Sequence, residues 1–342
     1  MNTPRRILVL YAGGTIGMVP SSRGYVPGAA LPDYVAEQTA QYDDLRPHRW
    51  HVESMAPLLD SANAQAGDWY AQAQILWRWQ DRIDGAVILH GTDTLAYAAS
   101  FLSFLMQGFG RPVVITASQL PLGVQYSDAP ANLLAALRCA LLSDLHEVAL
   151  CFGGQLLRGN RVVKLGPSPD EGFASPHWPV LGDTRRHATL HGQYLLPKQA
   201  ISAAPKLNGI SASVGLLRLY PGIPASVVQA VGQAHPQGLV LEMYGIGAGP
   251  SINRQLCTAL GQLHHAGTPV VAVSQCPYAA VKDLGVYESG QAFAQQGVIA
   301  GLDLTPAAAF AKLHYLSTQG LLAESAQWQA SIQTPLVGEV TP

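Results

Sequence analysis

Four short runs of apolar residues constrain this chain more than any other feature: Ile7 to Tyr11, Ala86 to His90, Pro112 to Ala117 and Val148 to Phe152. None alternates polar with apolar positions, so each reads as a strand buried on both faces. Helix-length segments with amphipathic spacing, Thr94 to Met106 and Ala131 to Leu142, lie between them. Buried strands separated by helices imply a parallel sheet covered above and below, which is a doubly wound α/β architecture. The rhythm breaks from about Thr184 to Asn208, a stretch with Arg185-Arg186-His187, Pro197 and Pro205 and little periodicity. It then resumes, with strands expected at Val214 to Tyr220, Gly238 to Tyr244 and Pro269 to Ser274. Helices are expected at Ala225 to Ala234, Asn253 to His265 and Pro306 to Thr318. The expectation is a larger N-terminal domain (1–190) with a mostly parallel sheet, a linker (191–209), and a smaller α/β C-terminal domain (210–342). The 342 residues are enough for each domain to bury its own core.

Charge and cysteine content exclude several classes of function. The net charge of −2 provides no basic field for nucleic acid or an anionic membrane, so neither is expected as a partner. Charged residues make up 12% of the chain, about half the usual share, which fits a surface partly covered by other subunits. The apolar run after Met1-Asn2-Thr3-Pro4-Arg5-Arg6 is too short for a signal peptide and ends at Gly13-Gly14. No stretch approaches the roughly 20 apolar residues of a membrane span. The four cysteines, at 139, 151, 257 and 276, form no CxxC pair and no zinc spacing. Reduced thiols in a cytoplasmic protein without a metal are the expectation.

In open α/β sheets, ligands bind beyond the carboxyl ends of the strands, so the residues there are the ones to read. The first run leads into Ala12-Gly13-Gly14-Thr15-Ile16-Gly17, the second into His90-Gly91-Thr92-Asp93-Thr94, and the third into Thr116-Ala117-Ser118-Gln119. Beyond the fourth lie Arg158-Gly159-Asn160-Arg161-Val162-Val163-Lys164. Hydroxyls, a carboxylate and an amine offered to one crevice suggest nucleophilic catalysis rather than electron or hydride transfer. Gly13-Gly14 allows positive φ and close approach to a ligand, although a tight turn alone would explain it. It is not a dinucleotide fingerprint, because Ile16 stands where GxGxxG needs glycine, and the chain has no Walker loop. No cofactor is expected.

Thr92 or Asp93 could simply cap a helix, a role worth about 1 kcal/mol. The five-residue unit from His90 to Thr94, however, is more than a cap requires. A threonine hydroxyl needs a base to attack a carbonyl, and a neutral amine can serve. The chain has 15 Arg and five Lys, and Lys164 is the first lysine, every earlier basic position being Arg. Arginine cannot give up its proton at neutral pH, whereas lysine can. Tyr25 lies in Ser21 to Pro27, a segment rich in Ser, Arg, Gly and Pro that reads as a flexible loop able to close over Thr15. Asp60-Ser61-Ala62-Asn63 follows an apolar run and, alone, reads as a turn or N-cap.

These motifs resemble those of bacterial L-asparaginases, and among them the cytoplasmic type I group. The carriers are Tyr11-Ala12-Gly13-Gly14-Thr15-Ile16-Gly17-Met18, His90-Gly91-Thr92-Asp93-Thr94-Leu95, Arg158 to Arg161 with Lys164, Phe173-Ala174-Ser175-Pro176, and Lys312-Leu313-His314-Tyr315-Leu316. The resemblance implies hydrolysis of L-asparagine to aspartate and ammonia through a threonine nucleophile and an acyl-enzyme. It implies Thr15 as the first nucleophile, Tyr25 as its partner, and Thr92, Asp93 and Lys164 as a second relay with Lys164 as base. It assigns substrate contacts to Gly14, Asp60, Ser61, Ala62, Gly91, Thr92, Asp93, Ala117 and Ser118. Ser61 would meet the α-carboxylate, Asp93 the α-ammonium, and the Ala117 carbonyl the leaving amide. Gln275 and Cys276 resemble a stretch lining an effector site in some type I enzymes, although a buried free cysteine at a strand end is the plainer reading.

Members of the group pair head to tail, implying a homodimer or homotetramer. Two departures bear on specificity. Ala248 stands where many relatives have an asparagine reaching a neighbouring subunit's site, and Ala62 stands where some have a polar side chain. Ala12 replaces a usual threonine that is not normally the nucleophile. Alternatives on the same scaffold are glutamine-using amidotransferase subunits, which normally carry an extra amino-terminal region, and lysophospholipases with appended domains. A non-catalytic sensor would be expected to have lost at least one of Thr15, Tyr25, Thr92, Asp93 and Lys164.

Overall fold

The structure, a computed structural model, describes residues 3–22, 24–28, 31–198, 200–207 and 212–342. It divides into two compact units, residues 1–207 and 208–342. Residue 199 and residues 208 and 209 of the expected linker, with 210 and 211 beyond it, lie outside the described residues.

In the first unit the strands are β1 (Arg6–Gly13), β2 (Met18–Ser21), β3 (Gly24–Pro27), β4 (Arg49–Leu59), β5 (Gly85–Leu89), β6 (Val113–Thr116), β7 (Val148–Phe152), β8 (Gln155–Arg158), β9 (Val163–Lys164), β10 (Phe173–Ala174), β11 (Gly182–Asp183) and β12 (Thr189–Leu190). The helices are α1 (Leu31–Gln41), α2 (Ala66–Trp79), α3 (Leu95–Leu105) and α4 (Ala129–Cys139). The main sheet runs β12-β11-β8-β7-β6-β5-β1-β4. β4, β1, β5, β6 and β7 are mutually parallel, and β8, β11 and β12 continue the sheet antiparallel. All five residues of β5 and of β7 are buried, as continuous apolar runs require. Ile7, Val9 and Tyr11 of β1 pack in one cluster with Leu31 and Val35 of α1 and Leu133, Ala136 and Leu137 of α4.

β1 has β4 on one side and β5 on the other, so the chain reverses its direction of travel across the sheet there. The crevice outside the carboxyl ends of β1 and β5 is the topological switch point, where such sheets take their ligands.

Three local expectations differ from the structure. The described residues of the Ser21 to Pro27 segment are largely extended: β2 and β3 pair antiparallel, with Val19 opposite Val26 and Pro20 opposite Tyr25, and Gly24 has φ +97°. The paired valines favour an extended ribbon that the Pro and Gly content obscured; Arg23 lies outside the described residues. Lys164 does not follow directly on β7, because antiparallel β8 intervenes and the chain turns back through Gly159–Arg161 before reaching it. The aperiodic stretch after Thr184 contains β12 and stays tied to the first unit through Leu196 N to Glu147 (2.7 Å), Ser202 N to Gly108 O (3.0 Å) and Gln74 Nε2 to Leu207 O (3.0 Å).

The second unit holds a parallel sheet in chain order, β13 (Val214–Arg218), β14 (Gly238–Met243), β15 (Val270–Ser274) and β16 (Ile299–Ala300). Its helices are α5 (Ala225–Ala234), α6 (Arg254–His265), α7 (Glu288–Ala294), α8 (Pro306–Gln319) and α9 (Trp328–Gln333). α8 shows its limits in sequence: Thr305 Oγ1 accepts from Ala308 N at 3.1 Å, Pro306 opens the helix, and Gly320 closes it at φ +76°.

The Lys312 motif is architectural. Lys312 and Glu339 are both fully buried and pair at 2.6 Å. The ammonium also donates to Ile332 O and Thr334 O, each at 2.7 Å, and the carboxylate accepts from Leu336 and Val337 amides. A dry pair survives only when its remaining hydrogen-bonding capacity is met in this way. Lys312→Met, which strands Glu339, is expected to destabilise the protein by about 3–5 kcal/mol. A lower midpoint in urea unfolding is the readout, with partial recovery when Glu339→Leu removes the stranded charge.

Candidate active site

The ends of β4, β1 and β5 lie so close that glycine is obligatory. Gly14, at φ +86°, has no room for a side chain: a Cβ there would lie 2.3 Å from Gly91 N. A Cβ on Gly91 would lie 2.3 Å from Ser61 Oγ, and one on Gly13 2.1 Å from Leu59 O. Gly14 N donates to Leu59 O at 3.0 Å. Gly14, Ser61 and Gly91, from three separate stretches of sequence, therefore meet at one point. Both glycines adopt positive φ, and what approaches them is the protein's own backbone, that of Leu59 at Gly13 and of residues 90 and 91 at Gly14.

Asp60 acts as a cap: its carboxylate accepts from Ala62 N at 3.1 Å, and the next residue, Ser61, is buried. The capping explanation fails at the start of α3. Thr94 occupies its N-cap without a side-chain capping bond and donates instead to Ser61 O at 2.8 Å. Thr92 Oγ1 accepts from Lys164 Nζ at 3.1 Å, and the same amine lies 2.5 Å from Asp93 Oδ1. Thr92 is buried, whereas the Asp93 side chain is 60% exposed and that of Lys164 27%. An ion pair this open adds little stability, so its significance is positional: an amine is held against a buried hydroxyl, the geometry in which a base takes a hydroxyl proton.

Lys164 is carried there by buried neighbours. Arg158 pairs with Glu147 at 2.6 Å, donates to Tyr194 O at 2.7 Å and lies 4.5 Å over the Trp178 ring. Arg161 is buried 5.5 Å from the same ring. The two arginines of the motif thus pin the return loop. Lys164 pairs with Phe173 across β9 and β10.

His90 is buried, and burial pushes its pKa below the ordinary histidine value. Its Nε2 accepts from Trp69 Nε1 at 3.4 Å and its Nδ1 faces Gly91 O at 2.9 Å, which assigns the neutral ring with the proton on Nδ1. That bond fixes the peptide just before Thr92.

Thr15 is half-buried in a single helical turn, Thr15–Gly17, and its hydroxyl has no partner among the described residues. Leu122 N donates to Ile16 O at 3.1 Å, joining the segment after β1 to the one after β6. Tyr25, on the hairpin, is 52% exposed, and its phenol bonds neither Thr15 nor any other described residue. The Ala117 carbonyl accepts from Asn132 Nδ2 at 3.0 Å, and Ser118 Oγ donates to Leu120 O at 2.7 Å. Asn132 and Asp128 carry no flag in the sequence, since Ser127-Asp128-Ala129-Pro130 reads as an ordinary helix start. In the second unit, Gln275 Nε2 donates to Leu219 O (2.6 Å) and Glu242 O (2.9 Å), tying strand ends together, and Cys276 is exposed rather than buried. Ala248 closes a tight turn with Tyr244.

Residues 6–195 match the family model of the asparaginase N-terminal domain, and residues 213–328 match that of the glutaminase/asparaginase C-terminal domain. The chain is 36% identical to L-asparaginase 1 of Escherichia coli K12, over 99% of this chain and 98% of that one. It is 35% identical to the 60 kDa lysophospholipase of Mus musculus, over 93% of this chain and 60% of that one. Among solved structures, L-asparaginase I from Vibrio cholerae O1 biovar eltor matches with a TM-score of 0.87 and 35% identity, covering 99% of this chain and 100% of that one.

Because a side chain at residue 14 would meet the backbone of residues 90 and 91, Gly14→Ala is expected to destabilise the protein by roughly 2 kcal/mol or more. An unchanged midpoint in chemical denaturation would mean that the two strand ends do not touch.

Proposed function

This chain belongs to the asparaginase family, and from that premise we propose that it hydrolyses L-asparagine to L-aspartate and ammonia through an acyl-enzyme formed on threonine. The observation that carries the reading is the Lys164 amine, 3.1 Å from the Thr92 hydroxyl and 2.5 Å from the Asp93 carboxylate, at the switch point where Gly14, Ser61 and Gly91 meet.

In this reading the substrate lies against the ends of β4, β1 and β5. The Ser61 hydroxyl receives its α-carboxylate, and the exposed Asp93 carboxylate its α-ammonium. Gly14, Asp60, Ala62, Gly91 and Ser118 shape the rest of the pocket. Thr15 Oγ attacks the side-chain carbonyl carbon and loses its proton, the C–N bond breaks, and the nitrogen takes up a proton to leave as ammonia. Water then cleaves the ester, releasing aspartate and restoring the hydroxyl. Thr92, Lys164 and Asp93 form the relay that moves the proton when the nucleophile or the water is activated. Tyr25 serves Thr15 once the hairpin moves over the pocket, which its present exposure requires.

The resemblance to type I enzymes supports a cytoplasmic homodimer or homotetramer, and the low charge content supports a surface covered by other subunits. Ala248 stands where many relatives have asparagine and Ala62 where some have a polar side chain, so L-glutamine is the substrate to compare with L-asparagine.

Ammonia release from L-asparagine, with neither ATP nor metal added, is the expected activity, with L-glutamine assayed beside it. Thr15→Ala and Thr92→Ala are each expected to lower kcat by about three to four orders of magnitude while the fold persists. Normal turnover in either variant would sink the assignment.

A further inference from the structure

Asp128 and Asn132 take no part in the reaction outlined above, yet both hydrogen-bond to the loop that carries Ala117. Asp128 stands at the N-cap of α4, where a carboxylate ordinarily accepts from the helix's own first amides, and it makes no such bond. Ser127 Oγ accepts from Ala129 N at 3.0 Å in its place. The Asp128 carboxylate turns to the loop instead, accepting from Gln119 N at 2.9 Å and Leu120 N at 3.0 Å. One turn later, buried Asn132 donates through Nδ2 to Asp128 Oδ2 (3.1 Å) and to Ala117 O (3.0 Å), and its Oδ1 accepts from Gly153 N (3.2 Å). Reversing this amide would set an NH2 against the Gly153 N–H and an oxygen against two acceptors, so its orientation is fixed. A residue type suited to capping is thus diverted to hold, through an asparagine, one backbone carbonyl.

We propose that Asn132, locked by Asp128, is a positioning residue for amide recognition: it occupies one lone pair of the Ala117 carbonyl and leaves the other aimed at the substrate's departing NH2. This rests on the reading that Ala117 O receives that group. A carbonyl oxygen accepts along two directions, and filling one with a buried, oriented donor restricts where the other points. As the C–N bond breaks and the nitrogen gains a proton, its N–H groups become stronger donors. An acceptor already in place then stabilises the transition state more than the bound amide.

Two substrates that pass through the same acyl-enzyme separate this role from a structural one. L-Asparagine offers N–H donors on its leaving group, whereas L-aspartate β-methyl ester offers none. In Asn132→Ala, kcat/KM for asparagine is expected to fall about 10- to 100-fold, and that for the ester no more than about threefold. Asp128→Asn, which loosens the lock without emptying the buried site, is expected to show the same substrate dependence, with an asparagine loss of about 3- to 10-fold; it decides the matter if the alanine variant does not fold. Equal losses on both substrates, or no loss on asparagine, overturn the proposal. A wild-type protein inactive on both would sink the amidohydrolase reading itself, and this inference with it.

Discussion

The near-contact of three strand ends at Gly13, Gly14 and Gly91 is the constraint on which the site depends. At that point the backbones of β1, β4 and the turn after β5 are separated by less than a methyl group's width. This follows from the topology: the strand order turns at β1, so the connections leaving β1 and β5 diverge and open a crevice, while the chain beside it is pressed together. Glycine makes the approach possible, and the approach brings Gly14, next to Thr15, and Ser61 against Gly91, next to Thr92. Three hydrogen bonds fasten the arrangement, Gly14 N to Leu59 O, Thr94 Oγ1 to Ser61 O and Leu122 N to Ile16 O.

Buried charge supports what the glycines bring together. Arg158 and Glu147 are almost wholly out of water, and the arginine satisfies itself further on Tyr194 O and the Trp178 ring. A desolvated pair tolerates little displacement, because losing either partner strands the other. The return loop that ends in Lys164 is anchored there, so an amine on a surface-facing segment can still be held against Thr92. Asn132, buried, and Asp128, half-buried, do for the loop after β6 what Arg158 does for Lys164: a polar network holds a neighbouring backbone in one orientation.

The sheet's centre was legible in the sequence because strands buried on both faces must be continuously apolar. β7 falls on the residues the pattern indicates, and β1, β5 and β6 within two. β4 was not visible: it is an edge strand, largely open to solvent, whose sequence Arg49 to Leu59 mixes charged, polar and apolar residues and contains Pro57. α1 buries only Leu31, Val35 and Thr39, too few to stand out. The antiparallel continuation β8, β11 and β12 consists of strands two to four residues long, below the length at which periodicity means anything.

What the sequence determined by itself was the alternation of buried strands with helices, the chemistry at the strand ends, and the family to which those motifs belong. Each of these is written in consecutive residues, where spacing and residue type act directly on the local chain. What only the tertiary structure decided was which side chains meet. It brought Lys164 to Thr92 across 72 positions and Ser61 to Gly91 across the sheet, turned Asp128 from its helix to a loop, and left Tyr25 exposed on a hairpin. Hydrogen bonds and steric contacts between distant segments depend on how strands are ordered and how helices cross them, and that order is a property of the packed chain, not of any stretch within it.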